Sequence, residues 1–171
     1  MDRSALQLLD RLEATLTQSV QRQQQLVGLL QRKREAMRSG DSKLMADLCR
    51  AENAVVQTVH ELEKRRQQHV AELTAKVDPA AKQPMRMLDL AERLPEPQRG
   101  RLLVTRTKLV EAMEQVQRET AVARRASEAL LGHLGGLIRT IGSVAQGGAA
   151  YGQTGRLYTK PARLSSLDLA A

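Results

Sequence analysis

From position 102 to position 144, thirteen residues follow one another at alternating steps of four and three: Leu102, Arg106, Leu109, Met113, Val116, Thr120, Ala123, Ser127, Leu130, Leu134, Leu137, Ile141 and Val144. This spacing keeps one edge of an α-helix in line and cannot serve a strand, whose side chains alternate with a period of two. A helix of this length with one largely apolar edge needs other helices to cover it, because intrinsic propensity contributes little in water. The covering residues must be aliphatic. The chain has no Phe and no Trp, and its only aromatic residues, Tyr151 and Tyr158, stand in its last 21 positions. Rings usually supply much of a core's buried area, so the sequence predicts a body of leucine and valine seams and a chemically separate end.

Two further seams supply the partners. Leu9, Leu12, Leu16, Leu26, Leu30 and Met37 share one register, with Ser19, Gln23 and Lys33 in its polar gaps. Leu44, Leu48, Ala51, Val55, Val59, Leu62, Val70, Leu73 and Val77 share another. Between them, Ser39-Gly40-Asp41 offers a stop and a restart, since Gly accepts the left-handed conformation after a helix and Ser or Asp caps the next one. Pro79, Pro84, Pro95 and Pro97 then frame a short apolar pattern of Met85, Met87, Leu88, Leu90, Ala91 and Leu94, which reads as a short helix between two breaks. The expected fold is all-α: an elongated antiparallel bundle of three long helices plus one short helix, with a flexible C-terminal tail. Its divisions are a helical hairpin over 1–78, a Pro-rich connection with the short helix over 79–97, a long helix over 98–145 and the tail over 146–171.

The end of the third seam is at odds with its own periodicity. Gly132, Gly135, Gly136 and Gly142 interrupt it, and each disfavours a helix interior by about 1 kcal/mol relative to Ala. A marginal helix is expected there. The glycines either admit a closely packed neighbouring helix or leave a strip that gains order when a partner helix lies on it.

Chemistry finds little support. His60, His69 and His133 lie far apart, and only His69 and Glu72 have a helical spacing that could share a ligand, so neither a metal centre nor any other cofactor is expected. Cys49 lacks a CxxC companion and reads as a buried or half-buried thiol. Gly147-Gly148 has neither the Lys-Ser/Thr ending nor the preceding strand of a phosphate loop. An enzyme is therefore not expected. The chain opens without the uninterrupted apolar stretch of a secretory signal and has no run long enough to span a membrane, so a cytoplasmic protein without membrane insertion is expected.

Charge narrows the partners only partly. The chain carries +8, and the excess is 13 − 11 = +2 over residues 1–78 against 14 − 8 = +6 over 79–171. Arg99, Arg101, Arg106, Lys108, Arg118, Arg124 and Arg125 crowd the third seam, yet Glu111, Glu114 and Glu119 dilute them and no ring is interleaved for base stacking. Nucleic acid is disfavoured on that ground. Arg32-Lys33-Arg34 and Lys64-Arg65-Arg66 read as solvated faces. A coiled-coil adaptor or stator of a secretion apparatus would need the same seams.

Three short segments resemble the FlgN-like family of flagellar export chaperones. Ser39-Gly40-Asp41 before Leu44 and Leu48 is similar to the family's Gly-Asp hairpin turn. Ser127-Glu128-Ala129-Leu130-Leu131 is similar to a segment ending in Leu-Leu, although Ser127 stands where the family often has Asn. Ala150-Tyr151-Gly152-Gln153-Thr154-Gly155 is similar to a Tyr-Gly-x-x-Gly element after the last long helix, with Thr154 where Asp often precedes the Gly. The resemblance implies a non-enzymatic chaperone for hook-associated, or hook-filament junction, proteins. It would cover their amphipathic terminal helices, prevent premature assembly and deliver them to the cytoplasmic domain of the export gate. The implied subunit-binding residues are Leu130, Leu131, Leu134, Leu137, Ile138 and Ile141, and the implied gate contact is Tyr151 with Gly152 and Gly155. A homodimer stays among the options.

Overall fold

The computed structural model describes the backbone of residues 3–145 and the side chains of residues 3–142. Its helices are α1 (Arg3–Ser39), α2 (Ser42–Val77), α3 (Met87–Glu92) and α4 (Gln98–Ala145), and the described residues contain no strand. By the density of their contacts the residues fall into two units, Met1–Ala126 and Ser127–Ala171, so the division lies within the continuous helix α4.

In the first unit, α1 and α2 form a hairpin whose turn follows from two residues. Gly40 adopts φ +68°, a conformation that a side chain would strain. With Gly40 there, its N–H donates to the Met37 carbonyl at 3.3 Å and the Asp41 N–H to the Ala36 carbonyl at 3.1 Å, the paired closure of a helix C-terminus. Asp41 then caps α2, its carboxylate accepting from the Leu44 N–H at 2.9 Å. At the far end of α2, the Thr74 hydroxyl donates to the Val70 carbonyl at 2.7 Å and accepts from the Met85 N–H at 3.0 Å. That hydroxyl ties the proline-rich connection to the hairpin.

Two apolar clusters hold the unit together. One joins Ala5, Leu8, Leu9, Leu12 and Leu16 of α1 to Val70 and Leu73 of α2, Leu90 and Ala91 of α3, Leu94, and Leu102 of α4. The other joins Leu26 and Leu30 of α1, Val55 of α2 and Ala123 of α4, with Leu29, Val59 and Val116 packed against it. Thr15, Ser19 and Gln23 are buried on α1, at least in part because the Thr15 and Ser19 hydroxyls satisfy themselves on the carbonyls of Arg11 and Thr15, both at 2.9 Å.

Three sequence expectations need correcting. Met113 is 44% exposed and Thr120 is exposed, whereas Ala112 is buried. An exact 3.5-residue repeat suits supercoiled helices, while a straight helix drifts by about 20° per heptad; here the inward direction runs between Leu109, Ala112 and Val116, which leaves Met113 at the outer edge. Cys49 is exposed, not buried, because it follows Leu48 by one residue and so points away from the line of Leu48, Val55 and Leu62. The basic triplets are not simply solvated. Lys33 pairs with Glu52 across the hairpin, Arg34 with Glu119 of α4 at 3.0 Å, and Arg66 with its neighbour Glu63 at 2.6 Å, their basic side chains 16%, 27% and 25% exposed.

The Lys33 and Arg34 pairs, with Arg101 of α4 reaching Glu13 of α1 at 2.5 Å and Asp10 at 3.5 Å, link the helices of the first unit. They also occupy basic side chains that a phosphate backbone would need. Arg118 is 3.6 Å from Glu114. No helix among the described residues is long and apolar enough to cross a membrane.

Candidate functional site

The second unit carries the C-terminal end of α4, and there the apolar pattern is exposed among the described residues. Leu130 is 42% exposed, Leu131 68%, Leu134 45%, Leu137 46%, Ile138 70% and Ile141 66%. At about 100° per residue these six positions fall within one sector of about 120°, so they make a single stripe. Isolated exposed leucines are ordinary on a protein surface. Six large aliphatic side chains on one helical face, four of them on the seam read from the sequence, form a candidate docking surface.

The stripe lies on a helix that its glycines would be expected to weaken, yet the helix continues through all four of them to Ala145. A Cβ added at Gly132, Gly135, Gly136 or Gly142 would meet nothing within 4 Å. Among the described residues, then, no other helix approaches these glycines closely. Gly132 and Gly136 fall roughly opposite the centre of the stripe at the helical period. Their lack of side chains lowers helix propensity without taking any apolar surface from the stripe.

Around the stripe, charge is sparse. Between positions 129 and 142, Arg139 is the one formally charged residue and there is no Asp or Glu. His133 is exposed and far in sequence from His60 and His69. Among the described residues no group of three or more His, Cys, Asp or Glu could hold a metal ion. A tight ion pair lies elsewhere, on α2: Arg66 donates from Nε and Nη2 to the two Glu63 oxygens at 2.7 and 2.6 Å. These bonds hold the Glu63 carboxyl below its ordinary value and raise Arg66, against a partial burial that works the other way on both.

The sequence thus located all six apolar residues of the candidate surface, though it could not say that they are bare. Tyr151, Gly152 and Gly155, and Tyr158 with the rest of the tail, lie outside the described residues. Sequence reasoning placed Ala123 on the packed seam but missed Ala112, which is buried; the signal was its four-residue spacing to Val116, obscured by Met113. Comparison with curated proteins gives no match, and neither does comparison with solved structures. A family model described as FlgN protein does match, over residues 1–159, and with nearly the whole chain covered the protein belongs to this family of flagellar export chaperones.

Proposed function

We propose that this chaperone binds the amphipathic terminal helices of hook-filament junction proteins on the stripe formed by Leu130, Leu131, Leu134, Leu137, Ile138 and Ile141. The observation that supports this reading is the exposure of all six on one face of α4. Helices that polymerise through apolar seams must be kept from one another before assembly, and a substitute apolar face does so without nucleotide or covalent chemistry. Delivery to the cytoplasmic domain of the export gate then falls to Tyr151, with Gly152 and Gly155 beside it. An exposed Tyr offers an apolar ring and a hydroxyl with few rotatable bonds to order, which suits an anchor on a short motif.

A double substitution Leu134→Ser and Ile138→Ser tests the stripe. Both side chains are exposed, so helicity by circular dichroism should be unchanged while binding to a purified junction subunit is lost; binding at wild-type strength would remove the stripe from the function. Tyr151→Ala should weaken capture by the purified gate domain and leave subunit binding intact. Equal loss of both would assign Tyr151 a structural part instead.

A further inference from the structure

The same sector of α4 has two histories. Counted at about 100° per residue, Leu102, Leu109, Ala112, Val116 and Ala123 occupy the sector of about 120° that also holds the six exposed residues of the stripe. In the first unit that sector is not covered by one helix. Leu102 belongs to a cluster that includes Leu12 and Leu16 of α1 and Leu73 of α2, and Ala123 to one that includes Leu26 and Leu30 of α1 and Val55 of α2. A face of this width needs two neighbours, because a single helix in coiled-coil contact covers only the narrower seam made by two positions per heptad. The stripe keeps the same width on the same helix.

We propose that the bare end of α4 binds two helices at once, as a pair from one partner chain, so that the complex repeats locally the three-helix packing seen in the first unit. The stripe carries only Leu and Ile, whose side chains are long enough to fill the groove between two helices. The charge pattern selects the partner. With Arg139 as the formally charged residue and no acid between 129 and 142, two copies of this segment have no complementary charges to exchange, while a helical pair with acidic flanks does.

This inference rests on the chaperone reading and names the form of its substrate. The test uses the full chain with three purified probes: each terminal helical segment of the junction subunit as a separate peptide, and the two joined in one polypeptide. Joining them should tighten binding at least about tenfold over the better single peptide, with one joined probe per chaperone, because the second helix then binds intramolecularly. Substituting one edge of the stripe, Leu131→Ser with Ile138→Ser, or the other edge, Leu130→Ser with Leu137→Ser, should each remove that gain and return the joined probe to single-peptide strength. One peptide that binds as tightly as the joined probe, and loses that binding through both edges alike, would overturn the two-helix proposal while leaving the chaperone reading standing. Absence of binding by all three probes and by the intact subunit would overturn both. A stripe-dependent dimer of the chaperone that competes with the joined probe would assign the second position to another copy of this chain and also refute the proposal.

Discussion

Leu102 and Leu137 stand five heptads apart on one helix, both within the same sector of about 120°, and have opposite fates: Leu102 is fully buried and Leu137 is 46% exposed. Each is a Leu in the same 3-4 register. What differs is the neighbourhood, with α1, α2 and α3 contributing to the cluster around Leu102. An amphipathic pattern therefore states that a face must be covered and leaves open whether the cover comes from the same chain. Under the proposed function, that distinction separates core from binding site.

The sharpest way to break this comparison is a matched pair of truncations. Leu102→Ala should destabilise the first unit by roughly 2–5 kcal/mol, the range for a fully buried leucine whose cavity cannot collapse, read as a lowered midpoint of chemical denaturation. Leu137→Ala should shift that midpoint by no more than about 0.5 kcal/mol, as for other surface changes, and instead weaken binding of the junction subunit. If Leu137→Ala proved as destabilising as Leu102→Ala, the stripe would be part of the core and the contrast would fail.

Most of the hairpin was legible because its signals are local and redundant. Every apolar residue of the α2 seam, from Leu44 to Val77, is at least half-buried, and Gly40 and Asp41 adopt the cap roles that their chemistry suggests. Charge was less legible. Lys33 and Arg34 look solvated in a basic triplet, but Glu52 and Glu119, which receive them, are 19 and 85 positions away in the chain. Cys49 shows the same limit at the scale of one residue, because hydrophobic character says little when its neighbour Leu48 already holds the inward position. For the candidate site, residue identity could be read from periodicity, whereas exposure depends on where the other helices lie.

A smaller effect concerns the back of the stripe. Gly132→Ala with Gly136→Ala meets no steric obstacle and should add about 1 kcal/mol of helix stability per position. Slower amide exchange across residues 127–142, with an unchanged midpoint for the first unit, would show that the two stretches of α4 are stabilised separately. The same variant should bind the junction subunit more tightly and release it more slowly, since less order must be gained on binding. Unchanged exchange would mean that the glycines do not loosen this helix, and the contrast between the stretches would then rest on coverage alone.

The smallest effect divides the two regions by their response to acid. The stretch from 129 to 142 contains no carboxylate, so carboxylate-linked acid sensitivity must originate outside it, and Glu63 of α2 is one resolved source. Its folded-state value is depressed from the ordinary 4.5, first by the hydrogen bond from Arg66. A depressed carboxylate contributes stability that is present above the unfolded value and is lost as pH falls through the folded value. Arg66 is raised from an already high value and stays charged throughout. Glu63→Gln should therefore reduce the loss of denaturation midpoint between neutral pH and a pH below 4.5, by a small amount because the side chain is 45% exposed and solvent screens the pair. Amide exchange in the 129–142 stretch should follow the same pH course in both proteins. A difference confined to that stretch would show that the acid response of α2 reaches the bare end of α4, and the two regions could no longer be treated as independent.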